Sequence, residues 1–247
     1  MMADEMKETP EMTERLRKYL AKAEAAPMEP FRNNRKSEAE AESASSVFLE
    51  TMRARRTIRQ FSSERVPRRL IENAVRTAMT APSGANQQPW TYVIVSNAAM
   101  KAKLRKAIEV EERETYAKRA SQEWLDALAP LGTDWHKEHI TTAPYLAIVF
   151  AQAYGLVAAD DGSARKIKHY YAQESVGISV GFFLASLTAA GLSTLTHTPN
   201  PMGFLRELLN RPENERAFVV IPIGYAADDA KVPRIKKKRL DEVLILR

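Results

Sequence analysis

Arg55–Trp90 reads RRTIRQFSSERVPRRLIENAVRTAMTAPSGANQQPW, and the rest of the chain can be read outward from it. Arg55, Arg56 and Arg59 make a basic cluster on a short run that also holds Thr57 and Ile58. From about Pro67 to Thr80 the apolar residues Leu70, Ile71, Ala74, Val75, Ala78 and Met79 recur at helical spacing, which predicts an amphipathic helix. Ala81-Pro82-Ser83-Gly84-Ala85-Asn86 is a turn of small residues, where backbone can come close to a ligand. Trp90–Val95 (WTYVIV) predicts the strand that closes the unit. Two or three arginines beside such a turn suit a phosphate joined to a flat ring system. A solvated charged turn followed by an ordinary loop is the other reading these residues leave open.

With 247 residues the chain can bury one good-sized core or two small ones. Its 45% hydrophobic and 28% charged residues are those of a soluble globular protein. Cysteine is absent, which excludes disulfides, thiolate metal sites and cysteine nucleophiles. Any redox chemistry would then need electrons from a bound cofactor. The formal net charge is +6, but the basic residues are scattered and lack interleaved aromatics, so no nucleic-acid partner is expected.

Residues 1–46 differ from the remainder. Thr13–Ala25 reads as a short amphipathic helix, and Asn33–Ser46 as a polar linker or frayed helix. No basic-then-apolar leader opens the chain, so a soluble, cytoplasmic protein is expected. Residues 47–247 read as one domain. Ala99 to about Leu128 is charged and helical in pattern, Pro130-Leu131-Gly132 breaks it, and Trp135–Ile140 predicts another helical turn or two. Pro144–Ala151 predicts a strand buried on both faces, and Val157–Ser163 a surface loop. The uncharged run from Ser175 to Leu205 is long enough to suggest a membrane span. Its serines and threonines, with a helix stop at Gly191, argue instead for a fully buried helix over Tyr171–Ala190. Short strands at Leu192–Thr196 and Ala217–Tyr225 flank a helix at Gly203–Asn210. Helices and strands without regular βαβ alternation point to an α+β fold.

The motifs RRTIR and APSGANQQPW resemble the signature of the nitroreductase family of FMN enzymes, and the likeness runs from about Phe48 to the C-terminus. It implies a central mixed sheet flanked by helices, a domain-swapped homodimer with the Tyr171–Ala190 helix at its centre, and a basic tail from Val232 wrapping the partner. It also implies that Arg55, Arg56, Thr57, Ile58 and Arg59 hold FMN, that Ser83 and Gly84 line its ring, and that Thr196, His197 and Thr198 meet it from the other side. Thr198 matches a position whose hydroxyl meets flavin N5, which makes it the catalytic candidate. Lys237 stands where the family offers an arginine to the phosphate, in a register open by one residue. The loop residue Ala85 is expected to meet a phenol oxygen through its backbone N–H.

Glu112, Tyr116 and Lys137 carry the substrate reading. Glu112 and Tyr116 are four apart and share a helix face. A free amino-acid zwitterion needs an anion for its ammonium and a cation for its carboxylate, and Glu112 with Lys137 offers both. Within the family this spacing resembles the branch that reductively removes halide from halotyrosines under a lid, here residues 105–140. That implies FMN-dependent conversion of 3-iodotyrosine and other halotyrosines to tyrosine plus halide, with NAD(P)H supplying electrons directly or through a reductase. The alternatives are a general NAD(P)H-dependent nitroreductase or quinone reductase, and a flavin-binding or basic interaction protein without turnover. His136 and His139 are three apart, but no third ligand is visible and HKEH reads as solvated; no metal is expected.

Overall fold

The computed structural model describes residues 10–158 and 162–247. Its contacts divide the chain into two units, Met1–Ser45 and Ser46–Arg247. In the first lies helix α1 (Pro10–Glu24), with Glu14 paired to Arg17 and Lys18 on its surface. Helix α2 (Glu38–Ala54) decides between the two readings of Asn33–Ser46, linker or frayed helix, in favour of helix from Glu38 onward. Ser37 supplies the reason: its hydroxyl accepts the Glu40 N–H while Glu40 Oε2 accepts the Ser37 N–H at 3.0 Å, a capping box that nucleates the helix in an otherwise polar sequence.

The second unit continues with α3 (Arg68–Met79), β1 (Trp90–Val95), α4 (Ala98–Glu114) and α5 (Gln122–Leu128). Then come α6 (His139–Thr142), β2 (Tyr145–Gln152), β3 (Tyr154–Ala158), β4 (Ala164–Lys168), α7 (Ala172–Ala189), β5 (Ser193–Thr194), α8 (Gly203–Leu208) and β6 (Glu215–Gly224). The central sheet has the order β1-β2-β6-β5, antiparallel throughout, and Thr57 joins it through a parallel bridge to Thr194, so it is mixed.

The period-two alternation of β2 explains why both faces are covered. Leu146, Ile148 and Phe150 face a core with Leu104 and Ile108 of α4, Ile140 and Leu205. Ala147, Val149 and Ala151 face the opposite core, with Ile71, Ala74 and Ala78 of α3 and Val176, Val180, Phe183 and Leu187 of α7. The expected α+β architecture, a sheet flanked by helices, is the one observed.

Three expectations need correction. Helix α7 is not buried all round within one chain: Ser175, Val176, Ser179, Val180, Phe183 and Leu187 face inward, whereas Ile178 and Phe182 remain 44% and 39% exposed. Uniform hydrophobicity hides a helix with two differently covered faces. Of the segment read as a loop from Val157 to Ser163, Val157 and Ala158 belong to β3, which pairs with β4; residues 159–161 lie outside the described residues. Trp135–Ile140 is helical only from His139 onward. The predicted stop at Gly191 holds: φ is +75°, with Leu192 N–H donating to Leu187 O and Gly191 N–H to Thr188 O, a Schellman closure. Among the described residues no helix is long and apolar enough to cross a membrane.

Candidate active site

Helix α4 ends in a π-helical turn, Thr115–Arg119, before α5. The wider turn re-aims Tyr116 relative to simple four-residue spacing, and π-turns recur where side chains are placed for function. Glu112 and Tyr116 still share one cavity of about 620 Å³, lined also by Arg59, Lys137, His139 and Leu195–Thr198. Trp124 and Leu128 of α5 form part of its wall.

The two charges singled out for opposite ends of a zwitterion meet each other directly, in a buried ion pair. Lys137 Nζ lies 2.9 Å from Glu112 Oε2, and the two residues are 3% and 8% exposed. His197 Nε2 lies 2.9 Å from the other oxygen, Oε1. Burial alone pushes the Glu112 carboxyl up, but the hydrogen bonds and charges of His197 and Lys137 outweigh it and hold the group below the usual range. Lys137 Nζ also contacts the Asp134 carbonyl and sits 5.5 Å over the Tyr116 ring. Behind it, the Lys137 N–H donates to Glu109 Oε1 at 2.8 Å, and Arg105 Nε binds the same oxygen at 2.7 Å.

His197 arrives from an extended segment beyond β5. Its backbone exchanges two 2.8 Å hydrogen bonds with Val220 of β6. Strand alternation turns the His197 ring inward to Glu112 and leaves Thr196 and Thr198 exposed, though all three residues border the cavity. His139 corrects the expectation of a solvated HKEH segment: it is 5% exposed, with its ring centroid 6.1 Å from that of His197. Burial, then the neighbouring His197, Lys137, Arg59 and Arg105, push His139 down to about 3. Sequence reasoning missed this residue as part of the cavity, although its place two positions after Lys137 was a usable signal.

The arginine cluster is half-buried. Arg55, Arg56 and Ile58 line a smaller cavity of about 290 Å³ with Thr194, while Arg59 faces the larger one. Arg56 Nη2 donates to Pro233 O at 2.5 Å. Neither Arg55 nor Arg59 pairs with a carboxylate among the described residues, and burial pulls the Arg59 guanidinium below its usual range. Half-buried guanidinium groups without an anion are what a phosphate or a polar ring edge would satisfy. These residues therefore fit FMN.

The remaining predicted residues lie elsewhere. Ser83, Gly84 and Ala85 do not line the large cavity. They sit against the start of α7: the Gly84 N–H donates to Ser175 Oγ at 3.3 Å, and a Cβ at Gly84 would meet Tyr170 O at 2.9 Å. Ala85, Asn86 and Gln88 all have positive φ. Lys237 is exposed in the tail, four residues beyond Pro233.

With this geometry in hand, the comparisons decide the family. The model of the nitroreductase family matches residues 52–225. The chain belongs to that family. It is 52% identical over 204 residues to an iodotyrosine deiodinase of Haliscomenobacter hydrossis, covering 83% of this chain and 90% of the relative. Human iodotyrosine deiodinase 1 is 43% identical over 217 residues, 87% of this chain and 74% of the relative. Among solved structures, oxidized iodotyrosine deiodinase bound to FMN and 3-iodo-L-tyrosine superposes with a TM-score of 0.65 at 31% identity, covering 81% of this chain and 97% of that one. An FMN-dependent nitroreductase of Mycobacterium smegmatis in complex with NADPH shares the fold, with a TM-score of 0.63 at 22% identity over 83% of this chain and 99% of that one.

Proposed function

We propose that this nitroreductase-family protein is an FMN-dependent oxidoreductase that reductively dehalogenates 3-iodotyrosine and other halotyrosines. The buried Glu112–Lys137 pair in the cavity carries the reading. Two opposite charges held out of water suit a ligand that brings one of each sign, and a free amino acid does. The kinship with deiodinases supports it independently.

Arg55, Arg56, Thr57, Ile58 and Arg59, with Ser83, Gly84, Thr196, Thr198 and the tail Lys237, would hold FMN, which supplies the reducing electrons when bound; His197, expected among them, turns its ring to Glu112 instead. Glu112 takes the substrate ammonium, Lys137 the carboxylate, and Tyr116 closes over them as part of a lid spanning residues 105–140. The Ala85 N–H receives the phenol oxygen and favours its ionised form, while the Thr198 hydroxyl serves the flavin edge. Overall, a carbon–halogen bond takes up two electrons and one proton to give tyrosine and halide, and NAD(P)H, directly or through a reductase, restores the electrons.

The site is a shared one in this reading. Ser83–Ala85 stand apart from the cavity, α7 exposes Ile178 and Phe182, and the tail exposes Val243, Leu244, Ile245 and Leu246. A homodimer that buries α7 against its copy and swaps the tail accounts for all three. A general nitroreductase would use the same FMN residues but has no use for buried opposite charges beside them. Titrating flavin fluorescence with 3-iodotyrosine, tyrosine and a nitroaromatic separates the two. Tight binding of iodotyrosine alone supports the dehalogenase; preference for the nitroaromatic overturns it.

A further inference from the structure

The two partners of Glu112 differ in their freedom to leave it. Lys137 carries a flexible four-carbon stem in the non-repetitive stretch before α6, and its Nζ has a second acceptor in the Asp134 carbonyl. His197 has a short, stiff side chain on a backbone locked to Val220 by reciprocal 2.8 Å bonds. For Nε2 to move off Glu112 Oε1, the pairing of this segment with β6 would have to shift.

We propose that His197 is the positioning residue for Glu112: its Nε2–H holds Oε1 before and after substrate binds, while Lys137 is the exchangeable partner. The incoming ammonium takes the place of Lys137 on Oε2, and Lys137 turns to the substrate carboxylate. Binding is then a swap of ion-pair partners within the cavity, and the carboxylate that receives the ammonium never loses its orientation. The role rests on the halotyrosine reading above and adds to it a residue that selects for the free amino group.

The surroundings of the ring support a fixed donor. Glu112 faces it from α4 and His139 from α6, and Lys137 and Arg59 border the same cavity. Glu112 is the anion within reach of the ring. The bond to Oε1 requires the ring proton on Nε2, and Nδ1 on the far side is buried with no hydrogen-bond partner among the described residues. Among the described residues, the hydrogen bond of the imidazole goes to Glu112.

The test compares native, His197→Gln and His197→Phe proteins with FMN bound. Glutamine can place an amide N–H where Nε2 stands, whereas phenylalanine fills the ring volume and donates nothing. Dissociation constants are read from flavin fluorescence for 3-iodotyrosine and for 3-(3-iodo-4-hydroxyphenyl)propionate, which lacks the ammonium. His197→Phe is expected to weaken iodotyrosine roughly ten- to a hundredfold, the range of a hydrogen bond to a charged group. KM should carry the loss rather than kcat, and the propionate should change less than about twofold. His197→Gln should recover iodotyrosine affinity to within about threefold of native. Nitrogen-15 spectra of histidine-labelled native protein should show the Nε2–H form of His197 with and without iodotyrosine.

Several results would overturn the assignment while leaving the dehalogenase reading intact. These are unchanged iodotyrosine affinity in His197→Phe, equal losses for both ligands, a His197→Gln protein as weak as His197→Phe, or a ring proton on Nδ1. If the native protein fails to bind iodotyrosine, the dehalogenase reading itself falls and takes this role with it.

Discussion

Glu112 and Lys137 are stable in a buried place only while each has a partner, and this makes them sensitive probes. Replacing either by glutamine leaves one end of the bound, desolvated zwitterion without its counter-charge, which typically costs about 3–5 kcal/mol. Glu112→Gln and Lys137→Gln are expected to weaken 3-iodotyrosine by on the order of a hundredfold or more, with FMN retained; equal losses of flavin and substrate would refute a zwitterion clamp. The arginines divide the other way. Arg55→Ala combined with Arg56→Ala should lose FMN, measured by absorbance after dialysis, before the fold melts.

His139 predicts a pH effect. Its ring, ordinarily near 6.5, is pushed down to about 3 in the folded protein. Below about pH 6.5 the unfolded chain takes up a proton that the folded ring refuses, so stability falls with acid by up to about 1.4 kcal/mol per pH unit. Glu112 and Glu215 are held below the usual carboxylate range. Their stability is present above that range and lost only as pH falls below it, so they act at lower pH. Denaturant unfolding of His139→Gln should therefore show a flatter pH dependence between about pH 6 and 5 than the native protein. At this scale Glu112, Tyr116 and Lys137, picked out by a spacing that resembles the family's, do share one cavity. The partnership of His197 with Glu112, 85 residues away in sequence, left no local trace.

Among the elements, β6 holds the sheet together, and its ends are tightly fixed. At one end Glu215, 2% exposed, accepts from Arg211 at 2.7 and 3.0 Å and from Thr91 at 2.6 Å. At the other, a Cβ on Gly224 would meet Pro144 Cδ at 2.6 Å and Phe61 at 3.2 Å. A proline ring cannot rotate away, so Gly224→Ala is expected to destabilise by about 1–3 kcal/mol, the range of overpacking, measured by urea unfolding. Strands β1, β2 and β6 were legible because WTYVIV, YLAIVFA and AFVVIPIG are largely apolar runs rich in β-branched and aromatic residues. The β3–β4 pair was not: ARKIK, three of its five residues charged and largely exposed, carries no buried face to betray it. Helix α2 was left open between linker and helix for a related reason, since a Ser/Ala/Glu sequence is set as helix by the Ser37 box rather than by apolar spacing.

For the whole molecule, the decisive question is what covers the outer face of α7. Phe182 is 39% exposed in one chain, so a glutamate there would be harmless to a monomer. In a dimer packed on α7 it would bury an unpaired charge. Phe182→Glu is expected to sediment as a monomer and to lose FMN with it; a native-sized, yellow variant would remove α7 from the interface. The inner face of this helix was legible from sequence only as hydrophobicity, because a covered face and a waiting one use the same residues.

The place of β6 between β2 and β5 also bears on how the chain is made. Synthesis runs from the N-terminus, and the strand that both β2 and β5 need spans residues 215–224 of 247. Until it leaves the ribosome, Leu146, Ile148 and Phe150 on one side and Ala147, Val149 and Ala151 on the other belong to a sheet that cannot close. Pairings this distant in sequence form slowly, and an unpaired strand edge invites aggregation meanwhile. Closure of the sheet therefore waits for β6, and the β2 edge it covers is where an incomplete chain would begin to aggregate.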